Sequence, residues 1–132
     1  MPEALVVDAS ALVEFLADSA LGVIVGRRLQ EGVLHAPASL DLEVLSGLVR
    51  LHRKDRLSVR QVTTRLDWLN RAPIERHLLG PLVAGAWQKR HRVSLPDGLY
   101  VELAERLEAP LVTTDPRLGR AYPGAEVVTA DT

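Results

Sequence analysis

Apolar positions along this chain fall into two kinds of run. Ala4-Leu5-Val6-Val7, Val33-Leu34-His35-Ala36, Leu111-Val112-Thr113 and Ala125-Glu126-Val127-Val128 are short, and the first is β-branched at its end. Runs of that length and composition read as buried strands. Pro73-Ile74-Glu75 is a fifth, shorter candidate. Between the strands, apolar residues recur every three or four positions, the spacing of one helical face. Ser10 is placed to cap a helix carrying Leu12, Val13, Phe15 and Leu16. A second helix is predicted from about Ser19 to Gln30, with Leu21, Ile24, Val25 and Leu29 inward. Pro37 is expected to open a third, bearing Leu40, Val44, Leu48 and Leu51. Ser58 is placed to cap a fourth, through Val62, Leu66 and Leu69. Leu78, Leu79, Leu82, Val83, Ala86 and Trp87 form the apolar stripe of a fifth. Pro96 and Asp97 open a sixth with Leu99, Leu103 and Leu107, which Ala109-Pro110 stops. Asp115-Pro116 begins a short helical turn.

Strands that alternate with helices throughout imply the α/β class, a parallel sheet covered by helices on both faces. No repeat, linker or low-complexity segment interrupts the pattern, so one domain is expected to span residues 1–132. A hydrophobic content of 47% suffices for a core at this size.

Composition narrows the chemistry. The chain has no Cys, which excludes a disulfide framework and a thiolate metal site and fits a reducing cytoplasm. Glu3, Asp8, Glu14 and Asp18 break up the apolar N-terminus, so it does not read as a signal peptide. No apolar stretch approaches the ~20 residues of a membrane span. The net charge of −1 conceals an asymmetry. Residues 50–92 carry 11 Lys or Arg against three acids, and the remainder five against 14. A solvated helical face accounts for such a basic stretch by default, and a nucleic-acid backbone is the functional alternative. Only Lys54 and Lys89 of the 16 basic residues are lysines, and arginine's planar fork suits phosphate.

Two acids stand directly beyond apolar strands, Asp8 after Val7 and Asp115 after Thr113-Thr114. Open α/β sheets bind their ligands at that carboxyl edge. Either acid alone reads as a turn or helix cap. Two others belong with them: Asp97 in the first turn of a helix, where it also suits the helix dipole, and Glu43 beside an apolar stripe. Glu14, Asp18, Glu102, Glu105 and Glu108 read as surface acids. If the four carboxylates converge, their mutual repulsion demands a cation. Without Cys, hard oxygen ligands favour Mg²⁺ or Mn²⁺ over zinc. His35, His52, His77 and His91 show no metal-ligand spacing such as H-x-x-x-H and read as structural or surface residues. Trp68 and Trp87 read as core rather than base-stacking platforms. There is no Gly-rich phosphate loop and no G-x-S-x-G elbow.

Four segments together resemble the motifs of the PIN-domain ribonucleases. Val6-Val7-Asp8-Ala9-Ser10-Ala11-Leu12 is similar to the opening motif and Leu42-Glu43-Val44-Leu45 to the helix-borne Glu. Leu95-Pro96-Asp97-Gly98-Leu99-Tyr100 with Val101-Glu102-Leu103-Ala104 is similar to the third motif, and Thr113-Thr114-Asp115-Pro116-Arg117-Leu118 to T-x-D-x-x-L. Their order and spacing, and the chain's length, resemble the VapC toxins of toxin–antitoxin pairs. Gly98 stands where the family more often has Ala, a change that would loosen the helix start and removes no ligand. The resemblance implies a PIN-like three-layer α/β/α fold with about five parallel strands. It implies RNA cleavage by a metal-activated water with Mg²⁺ or Mn²⁺. Asp8, Glu43, Asp97 and Asp115 would form the catalytic, metal-holding site, with the Ser10 and Thr113 hydroxyls positioning substrate or phosphate. A homodimer and a cognate VapB-like antitoxin are further implications.

Two other classes compete. A non-catalytic PIN-like module that binds RNA or protein has no need of four converging carboxylates. A receiver-like or phosphatase-like domain built on Asp8 lacks the neighbouring acid such sites need, since Ser10 stands two positions on.

Overall fold

A computed structural model describes residues 2–131. Five strands form one wholly parallel sheet in the order β3-β2-β1-β4-β5. They are β1 (Glu3–Val7), β2 (Gly32–Pro37), β3 (Ile74–His77), β4 (Leu111–Thr113) and β5 (Ala125–Val127). The helices are α1 (Ala9–Leu16), α2 (Ala20–Leu29), α3 (Leu40–Arg53), α4 (Val59–Arg71), α5 (Gly80–Gln88), α6 (Leu95–Leu107) and α7 (Pro116–Ala121). The predicted alternation and the three-layer α/β/α arrangement are both present.

The strand order carries the main functional consequence. The chain steps outward from β1 to β2 to β3, then returns to the other side of β1 for β4 and β5. The order therefore reverses between β1 and β4. In a parallel sheet, the crevice outside the strands' carboxyl ends at such a reversal is where ligands bind. Val6 pairs with Leu111 and Val7 with Val112, so Asp8 leaves β1 beside Thr113 at that reversal. The Asp8 amide continues the ladder by donating to the Val112 carbonyl at 2.9 Å.

Leu5, Val6, Val7, Leu111 and Val112 are fully buried, as expected for central parallel strands covered on both faces. Val44 and Leu48 of α3, Leu12 of α1, and Tyr100 and Val101 of α6 join them in one continuous core. Helix α6 packs on β1, β2 and β4, with α5 against it, while α1 joins α2 to α3. Among the described residues no single helix is long and apolar enough to cross a membrane.

Several boundaries differ from expectation. Asp8, not Ser10, occupies the N-cap position of α1, and Ser10 lies inside the first turn. Pro37 closes β2 instead of opening α3, because its fixed φ also suits an extended strand end. Leu78 precedes α5 and is 78% exposed, so it belongs to no buried stripe. Trp87 is 57% exposed with the Arg90 guanidinium 4.0 Å over its ring, and Trp68 is partly exposed against Phe15. Glu102 is half-buried, clamped by Lys89 and Arg106, not a surface acid. The caps at Ser19 and Ser58 form as expected, Ser58 in a capping box with Gln61. Gly98 is explained by packing. A Cβ there would lie 3.2 Å from the Cα, Cβ and carbonyl oxygen of Ala86, so glycine lets the start of α6 seat closely on α5.

Candidate active site

The site is built from four elements that meet at the β1/β4 reversal. Asp8, Glu43, Asp97 and Asp115 all line one open cleft of about 380 Å³, with Ser10 and Thr114. Each arrives by a local device. Asp8 is delivered by the end of β1 and is 5% exposed. Glu43 lies in the first turn of α3. Asp97 lies in the first turn of α6, where the Ser94 hydroxyl caps the helix by accepting from the Asp97 amide at 3.4 Å. Asp115 is the N-cap of α7 and accepts from the Arg117 amide at 2.9 Å.

Hydroxyls hold Asp8 in place. Ser10 Oγ donates to Asp8 Oδ2 at 2.6 Å and Thr113 Oγ1 donates to the same oxygen at 2.7 Å. Both hydrogens are then committed, so the 3.3 Å approach of Ser10 Oγ to Thr113 Oγ1 is packing. Each hydroxyl oxygen accepts a backbone amide in turn: Thr114 N to Ser10 Oγ at 3.3 Å and Asp115 N to Thr113 Oγ1 at 3.0 Å. The β4–α7 turn is thereby tied to the β1–α1 turn. Thr113 itself is fully buried and supports Asp8 from beneath the cleft.

Glu43 is oriented by a residue the sequence reading quoted without a role. Tyr100 OH donates to Glu43 Oε1 at 2.9 Å. Tyr100 is fully buried and lies one helical turn after Asp97, so α6 supplies both an acid and an anchor for a second acid. Its spacing from Asp97 was the available signal. Burial, then the Glu43 charge, pushes the phenol's pKa upward, so it remains a donor.

The electrostatics divide the four acids. Burial raises the Asp8 pKa despite its hydroxyl donors, and the Asp97 charge adds to the rise. Burial likewise raises Glu43, with Tyr100 opposing and the charges of Asp8 and Asp97 reinforcing. Asp115 moves the other way: hydrogen bonds from the exposed Arg117 guanidinium hold it below the usual carboxylate range. Buried Asp8 and half-buried Glu43 are thus destabilised as anions, and their charges repel that of Asp97. A cation in the cleft relieves all of these penalties, and an all-oxygen donor set matches a hard divalent ion.

Basic residues rim the acids. Arg50 and Lys54, at the end of α3, and Arg117 line the same cleft. Arg90 and Arg92 line an adjoining cavity that shares Asp97 and Arg117. The basic middle of the chain therefore splits. Arg65, Arg71, Arg76 and Lys89 are consumed by ion pairs with Asp18, Asp67, Asp41 and Glu102. Arg50, Lys54, Arg90 and Arg92 have no carboxylate partner among the described residues. Glu14, expected at the surface, also lines the cleft and accepts from the Ser19 hydroxyl.

Kinship agrees with this geometry. The PIN domain family matches residues 5–122. The chain is 48% identical over 128 residues to Ribonuclease VapC3 of Mycobacterium tuberculosis, covering 96% of this chain and 93% of that protein. It is 42% identical to Ribonuclease VapC1 of the same organism (88% and 89% covered) and 35% identical to Ribonuclease VapC12 (89% and 92%). The crystal structure of PAE2754 from Pyrobaculum aerophilum superposes with a TM-score of 0.70 at 22% identity, covering 97% of this chain and 85% of that one, which is a likeness of fold. The chain belongs to the PIN-domain family, among the VapC ribonucleases.

Proposed function

We propose that this chain is a Mg²⁺-dependent endoribonuclease, the toxin of a VapBC-type pair, acting in the cytoplasm, with residues 1–132 as a single PIN domain. The observation that carries the reading is the convergence of Asp8, Glu43, Asp97 and Asp115 on one cleft at the sheet's topological reversal. Asp8, Asp97, Asp115 and Glu43 would hold the ion, and Mn²⁺ would serve in its place. When bound, the ion neutralises charge on the phosphodiester and makes water a better nucleophile. The protein's own part is positional. Ser10 and Thr113 hold the Asp8 carboxylate, and Tyr100 holds Glu43. The Ser10 hydroxyl lines the cleft and would donate to a phosphate or a water there only by giving up its hydrogen bond to Asp8. Arg50, Lys54, Arg90, Arg92 and Arg117 provide a cationic border against which an RNA backbone is held beside acids that would otherwise repel it.

The test is cleavage of a mixed RNA substrate by the purified chain. Cleavage is expected with Mg²⁺ or Mn²⁺, to stop with chelator, and to vanish in Asp97→Asn. Equal cleavage in chelator, or full activity of Asp97→Asn, overturns the proposal and leaves a non-catalytic RNA- or protein-binding module.

Two partners follow from the same reading. Kinship with VapC proteins supports a VapB-like antitoxin, which should abolish cleavage at equimolar ratio. An exposed apolar groove of about 410 Å³ beside Glu43, lined by Leu42, Val83, Trp87, Leu95 and Leu99, supports a homodimer. Sedimentation of Trp87→Glu should then report a monomer, and an unchanged dimer would remove this face from the interface.

A further inference from the structure

The carboxyl edge of the sheet carries a second cluster, apart from the acidic cleft. Its members are His35 on β2 and Glu75 and His77 on β3. Glu75 and His77 are two positions apart on a strand, so their side chains share a face. The parallel register pairs His35 with Glu75 and Pro37 with His77, which sets His35 beside both. His35 Nδ1 and His77 Nε2 lie 2.9 Å apart, one ring donating to the other, and Glu75 Oε2 lies 3.7 Å from His35 Nδ1. One ligand atom from each of the three residues falls within 4.8 Å of the others, the one such grouping among the described residues.

We propose that His35, Glu75 and His77 form a binding site for a borderline transition-metal ion, Zn²⁺ above all, separate from the oxygen-rich nuclease site. The donor set decides the class of ion. Two imidazoles and one carboxylate suit Zn²⁺ and its neighbours, whereas Mg²⁺ prefers oxygen alone. The spacing fits as well. A tetrahedral ion with bonds near 2.0–2.1 Å sets its ligand atoms about 3.3 Å apart. The two separations of 2.9 Å and 3.7 Å bracket that distance. Binding asks only that the hydrogen shared by the rings move to the other nitrogen of its own ring, with small shifts of the side chains. The burial pattern leaves one position open. The His35 side chain is 14% exposed while that of Glu75 is 65% exposed, so the strands present the ligands at the surface and water completes the shell.

The backbone around the cluster is fixed. β3 is an edge strand, and the ladder extends past it where the Ala38 amide donates to the His77 carbonyl at 2.8 Å. An ion there would staple β3 to β2 at the point where the chain leaves for α3 and α5, the elements that border the apolar groove. No local spacing marks it as a metal site, because His35 is 40 positions from its nearest partner, Glu75, and only strand pairing unites them.

The experiment uses the full chain, stripped by chelator and dialysed against Zn²⁺ in the presence of excess Mg²⁺ to occupy the acidic cleft. One Zn²⁺ per chain is expected to remain, with a rise in Tm of about 5 °C or more at saturating Zn²⁺. Co²⁺ in place of Zn²⁺ should give the visible absorption of a four-coordinate ion. His77→Gln and His35→Gln should each weaken Zn²⁺ retention at least ~10-fold, and Asp97→Asn should leave it unchanged. Glu75→Gln, on an exposed side chain, gives a second reading should a histidine variant fail to fold, and a several-fold loss is expected from it. Zn²⁺ retained undiminished by His77→Gln and Glu75→Gln, Zn²⁺ lost on Asp97→Asn alone, or no Zn²⁺ retained by the parent chain each overturns the site. None of these readouts involves RNA, so failure here leaves the nuclease reading untouched.

Discussion

Asp8 and Asp115 occupy matching places and live in opposite environments. Both follow neighbouring parallel strands, β1 and β4, and both sit at the N-cap of the next helix. Asp115 behaves as a cap should. It accepts the Arg117 amide, takes the Arg117 guanidinium as counter-charge, and its pKa falls. Asp8 makes no side-chain cap, lies buried on two hydroxyls, and its pKa rises. An acid that already has a cation and a cap gains little from another ion. One held as an anion in a poor solvent, beside the charge of Asp97, gains most. The difference teaches that the strand-end motif fixes position while the next shell decides use. On the proposed function, Asp8 would anchor the cation and Asp115 would stand at the mouth of the cleft.

The sharpest test sets the two residues against each other. Asp8→Asn should reduce metal-dependent RNA cleavage by more than the ~10–100-fold typical for losing a group that merely orients a ligand. Asp115→Asn keeps a capping oxygen and should lose less. Equal losses in kcat from both would erase the distinction.

The next largest effect belongs to the support beneath Asp8. Thr113→Val removes a donor to Asp8 and the acceptor for the Asp115 amide from a fully buried position. An unsatisfied buried group costs about 1–3 kcal/mol, so Tm should drop. Apparent Mg²⁺ affinity should fall about 10–100-fold, the usual cost of removing an outer-shell partner. Affinity unchanged at lower Tm would make Thr113 a purely structural residue.

These residues also show how far the sequence could be read. The strands were legible because central parallel strands are buried on both sides, which leaves unbroken apolar runs such as Leu5-Val6-Val7. The four acids were legible as candidates because each stands at an element's end or beside its apolar stripe. Their environments were not. Nothing local in Thr113-Thr114-Asp115-Pro116-Arg117 says that Arg117 folds back on Asp115, and nothing around Asp8 says how completely it is covered. Tyr100 and Glu43 are 57 residues apart and meet only through the packing of α6 on the sheet. The basic stretch misled in a similar way, since charge counts cannot tell Arg76, bound to Asp41, from Arg50, open to the cleft. Helix starts slipped where proline and hydroxyl residues have two uses, as Pro37 and Ser10 do.

A smaller effect is expected on stability, with a definite sign. Asp8 has a folded pKa above its unfolded value, so its favourable contribution is fully present below the unfolded pKa and is lost as pH rises through the folded one. Metal-free Asp8→Asn should therefore be more stable than the parent at neutral pH, by a few degrees at about 4 °C per kcal/mol for a chain of this size. The gap should close as pH falls toward the acid range, and Mg²⁺ should close it at neutral pH by stabilising the parent alone. Thermal scans of both chains with and without Mg²⁺ measure this directly. A gap independent of pH would mean that packing, not charge, separates them.

The smallest effect concerns Arg117, and it tests the other half of the comparison. Asp115 has a depressed pKa, so its contribution to stability is present above the unfolded value and is lost as pH falls through the folded one. Arg117→Ala removes the first cause of that depression, and the acid-side loss should then begin at a higher pH. Because Arg117 is exposed and its ion pair is screened, Tm at neutral pH should scarcely move. Asp115 stays ionised there with or without its partner, so metal loading should be preserved. What remains is the guanidinium's place on the cationic border shared by the two cavities. Losing it should raise KM for RNA about 3- to 10-fold, as expected for one phosphate contact, while kcat holds. The rise should shrink as salt is added. A fall in kcat with KM unchanged would instead make Arg117 part of the machinery that acts on the scissile bond, and would place Asp115 beside Asp8 in function despite their opposite surroundings.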